Sequence, residues 1–132
     1  MLILPKAIHD SMIAHAREGF PLEVCGILGG TAGQVSAIFP MTNTDASAEH
    51  FMMDPKEQFT VIKELRRQGQ EMLAIYHSHP ASPARPSAED IRLALTPDVA
   101  HAIISLQDPE HPVVKIFEIA EGLVTEVALT IR

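Results

Sequence analysis

Ala74-Ile75-Tyr76-His77-Ser78-His79-Pro80, followed by Ser87 and Asp90, is the stretch whose reading decides the fold. Successive side chains of an extended strand point to opposite faces, so His77 and His79 share one face and present two imidazoles to one point. Beyond Pro80 a proline-rich turn leads into Pro86-Ser87-Ala88-Glu89-Asp90, which reads as a helix start. A carboxylate in that first turn can swing back towards the strand end. Two histidines and one aspartate leave a four-coordinate zinc one open position, the arrangement of a catalytic site and not of a structural one.

The same residues carry a plainer reading. A histidine at a strand end is commonly a satisfied polar residue, and Ser87 with Asp90 three residues later is also a helix capping box. That reading accounts for each residue separately. It leaves unexplained why two histidines on one face close an apolar strand immediately before such a helix start.

Working outward, Met72-Leu73-Ala74-Ile75-Tyr76 is a continuous apolar run, as expected of a central strand covered on both faces. Upstream, Leu2-Ile3-Leu4 reads as a short first strand, and Pro5 sits where a helix can begin. Ile8, Met12 and Ala16, with Ile13 and Phe20 nearby, form a stripe at helical spacing that Gly19 closes. His9 and His15 on this helix have no partner at ligand spacing. Pro21 to Gly30 reads as a strand running into a hairpin, with Gln34 to Phe39 returning. Glu23 is the odd residue there, because a carboxylate at the mouth of an apolar strand must be solvated, paired or functional. Cys25, on the same face if the strand is regular, is read as a small buried hydrophobe, with nucleophile and ligand as the alternatives.

Met41 to Glu49 is a polar loop of the kind that lines clefts. His50 to Met53 reads as a short strand whose two methionines fill the core. Asp54 as N-cap, Pro55 at the first position and Glu57 at the third begin a second helix, with Phe59, Ile62 and Leu65 as its buried stripe and Gly69 as its end. Ile91, Ala94 and Leu95 make the helix after Ser87 amphipathic, with Pro97 limiting it. Three strands follow: Ala102 to Leu106, Val113 to Glu118, and Leu123 to Ile131, with Glu121-Gly122 as the last turn. His101 is a weak candidate for a fourth ligand, and His111 lies in a loop. This order predicts an α/β domain spanning 1–132, with a mixed sheet and helices packed on it.

The 46 % hydrophobic and 20 % charged composition is that of a globular chain, and 132 residues bury enough surface to stand without disulfides. A net charge of -7 with scattered Lys and Arg offers no basic stripe for nucleic acid. No apolar run approaches the length that crosses a bilayer, and Met1 to Pro5 is too short for a signal core. With Cys25 as the one cysteine, cytoplasmic residence is expected.

Taken together, Glu23, His77-Ser78-His79-Pro80, Ser87 and Asp90 resemble the signature of the JAMM (MPN+, or Mov34/MPN/PAD-1) metallopeptidases, with every motif position filled. Pro21-x-Glu23-x-Cys25-Gly26 and Phe51-x-x-Asp54-Pro55 are also similar to the short bacterial members. The resemblance implies a fold related to the zinc deaminases, whose own His-x-Glu and Pro-Cys-x-x-Cys motifs are absent here. It also implies one zinc on His77, His79 and Asp90 with water in the fourth position, Glu23 as the base acting on that water, and Ser87 as a stabiliser of the oxyanion. Family members cut an amide or isopeptide bond after the Gly-Gly tail of a ubiquitin-like protein. The short bacterial forms include enzymes releasing an amino acid from a sulfur-carrier protein, the partner expected here because little chain follows the last ligand to grip folded ubiquitin. Alternatives are a non-catalytic MPN scaffold and a zinc hydrolase of small amides. A homodimer is compatible with either.

Overall fold

The computed structural model of the protein describes residues 1–96 and 98–132; the helix limit assigned to Pro97 lies outside the described residues. In chain order the elements are β1 (Leu2–Leu4), α1 (Lys6–Gly19), β2 (Cys25–Thr31), β3 (Gln34–Met41), α2 (Pro55–Arg67), β4 (Glu71–His79), α3 (Ala88–Arg92), β5 (Ala100–Ser105), β6 (Val113–Ala120), β7 (Leu123–Val127) and β8 (Leu129–Ile131). All eight strands form one sheet in the order β7-β6-β5-β4-β2-β3-β1-β8, with β4 antiparallel to β2 and parallel to β5.

The expected last strand, Leu123 to Ile131, is two strands on opposite edges of this sheet. Only Ala128 separates them, so the sheet is rolled until its edges meet, and Leu2 N–H donates to the Ala128 carbonyl at 3.0 Å. The alternation that made the segment look continuous survives the break, because Val127 and Leu129 both pack into the core around α1. That core takes Met12 and Ala16 from the helix and Leu4, Leu28, Tyr76, Ile104 and Ile116 from the strands. Gly26 is required here, since a Cβ would collide with the hydroxyl edge of the Tyr76 ring, whose hydroxyl is hydrogen-bonded to His15 Nδ1 at 2.7 Å.

A second core occupies the other face, where Cys25, Ile27 and Met41 meet Leu65 of α2. Asp54 caps α2 by accepting from Lys56 N–H and Glu57 N–H, and Gly69 leaves it in the left-handed region at φ 71°. The inward stripe of α2 uses Val61 and Leu65, whereas Phe59 is 63 % exposed under Lys63. Residue 59 sits about 100° round the helix from Gln58, past the buried face. The strand expected over His50 to Met53 is only an isolated bridge from Asn43 to Met53, and of its two methionines Met53 is buried while Met52 is exposed. α3 is five residues long, and Leu93 and Leu95 beyond it face solvent, so the long amphipathic helix expected there does not form. Among the described residues no helix is long and apolar enough to cross a membrane.

Candidate metal centre and active site

Pleating sends Ala74 and Tyr76 of β4 to the α1 side and Ile75 to the α2 side, so His77 and His79 follow Ile75. Both histidines are buried. Their Nε2 atoms stand 3.1 Å apart, and each lies 3.1 Å from Asp90 Oδ2. Ligand atoms of a tetrahedral zinc, each about 2.0–2.1 Å from the ion, lie about 3.3 Å from one another. The triangle is close to that size. His79 Nδ1 donates to the Pro83 carbonyl at 2.9 Å, which leaves its Nε2 lone pair directed at the triangle. His77 is stacked on Phe51, with ring centres 4.6 Å apart, and its Nδ1 is buried without a partner among the described residues.

The capping box at the start of α3 is formed, and it is the device that aims Asp90. Ser87 N–H donates to Asp90 Oδ2 at 2.9 Å, the same oxygen that faces both histidines, while Asp90 N–H donates to Ser87 Oγ at 3.0 Å. The plain reading and the metal reading of these residues therefore describe one geometry. The turn before them is pinned by His79, by Ser105 Oγ donating to the Ser82 carbonyl at 2.6 Å, and by burial of Ala84 against Ile103. Burial pushes the Asp90 carboxyl up, yet the imidazoles of His77 and His79 beside it outweigh that and hold the group well below the usual carboxylate range. Burial drives His77 down; it opposes His79 too, but Asp90 and the Pro83 carbonyl lift that ring above its ordinary value. Such a cluster of lone pairs suits a shared cation.

Glu23 is buried at 5 % exposure, its Oε1 without a partner among the described residues, but it does not lie on a strand: β2 begins at Cys25. Its segment is irregular and is held by foreign partners. Glu23 N–H donates to the Ser47 carbonyl at 2.8 Å, Asn43 Nδ2 to the Glu23 carbonyl at 3.0 Å, and Val24 N–H to Ser78 Oγ at 2.8 Å. Burial pushes its carboxyl up to about 7, with His79 pulling down and Asp90 pushing up. A group titrating near neutrality can both take and return a proton. Cys25 is fully buried in the α2-side core, and burial raises its thiol to about 12, which makes it a poor nucleophile.

Sequence reasoning quoted Ser78 and Phe51 within motifs but gave neither a role. Ser78 had a signal: a hydroxyl on the buried face of an apolar strand must find a partner, and this one finds the residue after Glu23. Phe51 had only its place in Phe51-x-x-Asp54-Pro55, and its stacking on His77 depends on a loop path that no spacing rule shows. His101, on β5, stays outside the ligand triangle; it borders a cavity of about 270 Å³ that opens beside His77 and Asp90, with Phe51, Met52, Ile75 and Leu93 on its apolar side.

Comparison with known proteins finds relatives over most of the chain. The chain is 34 % identical over 128 residues to the CysO-cysteine peptidase of Mycobacterium tuberculosis, covering 96 % of this chain and 88 % of that one. The solution structure of a Desulfitobacterium hafniense protein superposes with a TM-score of 0.91 at 46 % identity, over 100 % of this chain and 93 % of that one. A JAB1/MPN domain protein of Archaeoglobus fulgidus shares the fold at 20 % identity and a TM-score of 0.67, over 99 % and 98 % of the two chains. Residues 5–119, which include Glu23 and the whole His77, His79 and Asp90 cluster, match the model of the prokaryotic homologs of the JAB domain (Prok-JAB), and the chain belongs to that family.

Proposed function

We propose that this protein is a zinc-dependent hydrolase of the JAMM type that cuts the amide bond after the C-terminal Gly-Gly of a ubiquitin-like or sulfur-carrier protein, releasing an amino acid or short peptide. The carrying observation is a triangle of three ligand atoms within reach of the field of a buried, unpaired carboxylate. His77, His79 and Asp90 hold one zinc per chain in this reading, and the Asp90 cap orients the third ligand. A zinc ion there lowers the pKa of water towards neutrality and draws charge from the carbonyl oxygen under attack.

Glu23 takes the proton from the attacking water and returns it to the leaving amine. Ser87 Oγ accepts from Asp90 N–H and keeps its own proton to donate to the developing oxyanion, for which its exposed position suits it. The neighbouring cavity is of side-chain size, which supports a small adduct over a second folded protein. A carrier tail ending in glycines suits the site because glycine lets backbone approach the metal closely. The relative named as a CysO-cysteine peptidase supports the same class of substrate.

Mass spectrometry of a sulfur-carrier protein bearing an amino acid on its C-terminal Gly-Gly, incubated with zinc-loaded protein, tests the reading. Free carrier should appear, and chelator should stop its appearance. Rapid cleavage of free small amides with such adducts left intact overturns the carrier reading in favour of a small-amide hydrolase. Absence of any turnover favours the scaffold.

A further inference from the structure

His77 and His79 hang on a sheet ladder and Asp90 on a capping box, but Glu23 precedes the ladder and needs some other hold. Its main chain is gripped from the loop between β3 and α2, and one side chain organises that loop. Asn43 Nδ2 donates to the Glu23 carbonyl at 3.0 Å and to the His50 carbonyl at 3.2 Å. Asn43 Oδ1 accepts from Asp45 N–H and Met52 N–H, both at 3.0 Å. A carboxamide has two donor hydrogens and two acceptor lone pairs, and all four are used. The network also fixes which end is nitrogen, because two carbonyls face one end and two N–H groups the other.

The loop so organised carries both remaining contacts to the site. Its Ser47 carbonyl accepts from Glu23 N–H at 2.8 Å, and its Phe51 ring lies on His77. We propose that Asn43 is a positioning residue for the reaction: its carboxamide fixes the Glu23 backbone, and through it the carboxylate, relative to the His77, His79 and Asp90 triangle. The inference rests on Glu23 acting as the base. Aspartate at this position keeps the acceptor end but has no hydrogen for Glu23 or His50 and turns lone pairs on both carbonyls. Alanine abolishes all four bonds. Thr44 supplies the control: its Oγ1 donates to the Met52 carbonyl at 3.1 Å, inside the same loop but without touching Glu23.

The experiment measures Asn43→Asp, Thr44→Val and Glu23→Gln in the zinc-loaded full chain on the carrier adduct used above, with amide hydrogen exchange of each by NMR. Asn43→Asp should lower kcat about 100-fold, the scale of a 1 Å misplacement, with KM within about threefold and zinc content unchanged. Protection of the Glu23 and Val24 amides should fall at least about tenfold while that of Ile75 and His77 holds, a readout independent of turnover. Thr44→Val should stay within about threefold of the parent on every count, as a surface substitution does. Turnover kept in Asn43→Asp, or an equal loss in Thr44→Val, overturns the role of Asn43. Full turnover in Glu23→Gln overturns the base reading and the proposal with it, whereas a dead Glu23→Gln beside an active Asn43→Asp overturns Asn43 alone. If Asn43→Asp does not fold, Asn43→Ala, which adds no charge, is read by the same criteria.

Discussion

The two halves of the candidate site are built by opposite means. His77 and His79 stand on β4, so their direction follows from a two-residue repeat, with β2 and β5 both paired at His77 and β5 paired at His79. Glu23 stands on irregular chain between α1 and β2, and its direction follows from hydrogen bonds that Asn43, Ser47 and Ser78 happen to supply. A ladder bond is replaceable by its neighbours, whereas the bonds around Glu23 come singly or as one pair from three separate residues. The two histidines should therefore fail only when a ligand itself is removed, and the Glu23 half should fail when a supporting residue is.

The largest effect is expected on the ligand side. His77→Ala and Asp90→Ala each remove one of the three atoms of the triangle, and a site with two protein ligands binds its metal weakly. Elemental analysis should find zinc lost from both and kept in Glu23→Gln. Undiminished zinc in both ligand variants would break the comparison at its first term, and loss from Glu23→Gln would make that residue a ligand.

Next comes the cost of burying Glu23. Burial lifts the Glu23 carboxyl from 4.5 to about 7, so the fold favours its protonated form. That preference stabilises the native state fully below the unfolded value and is lost as pH rises towards the folded one. Above pH 7 the metal-free protein carries a penalty of about 3 kcal/mol relative to a neutral side chain. In chelator, urea unfolding should show Glu23→Gln more stable than the parent by up to about 3 kcal/mol at pH 8, with the difference almost gone by pH 4. A parent more stable than Glu23→Gln at pH 8 would mean that Glu23 is paired in solution, contrary to its unpaired Oε1.

The same contrast explains what the sequence disclosed. Strand β4, its paired histidines and the Ser87 and Asp90 box were legible because periodicity and cap chemistry are local rules. The mixed sheet followed from the order of elements. Its rolling was not legible, since Leu123 to Ile131 keeps one alternating pattern through Ala128 while changing edges. Glu23 was found as an anomaly and by resemblance, yet it was placed on a strand that starts two residues later. The residues holding it were given no role because Asn43 and Ser78 act on main-chain atoms distant in sequence, and no spacing rule connects them. Phe59 and Leu95 show the converse error, in which apolar residues that fit a helical repeat were given to a core they do not reach.

Ser78 ties the Glu23 segment to β4, and its loss should be felt as lost stability at every pH. It sits between the two histidines but points to the opposite face, where Oγ accepts from Val24 N–H at 2.8 Å while its own N–H donates to the Val24 carbonyl at 3.0 Å. Ser78→Ala keeps the second bond and leaves a buried N–H unpaired, which costs about 1–3 kcal/mol. Urea unfolding should show that loss at pH 8 and pH 4 alike, unlike the effect of Glu23→Gln. A loss confined to one pH would point to a charged group as its origin in place of the Val24 amide.

The smallest effect is expected at the far end of the loop, where Asp54 ends the irregular chain and begins α2. Its Oδ1 accepts from Lys56 N–H at 2.8 Å and Glu57 N–H at 3.4 Å, and Pro55 contributes no N–H to the first turn. The loop itself is tied at this point by other atoms: Asp54 N–H donates to the Thr42 carbonyl at 3.3 Å, and the Glu57 carboxylate accepts from Thr42 N–H at 2.7 Å and from Thr42 Oγ1 at 2.8 Å. Asp54→Ala removes only the cap, so it should cost about 1 kcal/mol of stability, and Asp54→Asn, which keeps a capping oxygen, should retain most of what alanine loses. Zinc content, turnover and Glu23 amide exchange should stay with the parent, because the hold on Glu23 comes from Asn43 and Ser47 and not from α2. If Asp54→Ala instead slows turnover as much as Asn43→Asp, the loop hangs from the helix, and the base half of the site is supported by regular structure after all.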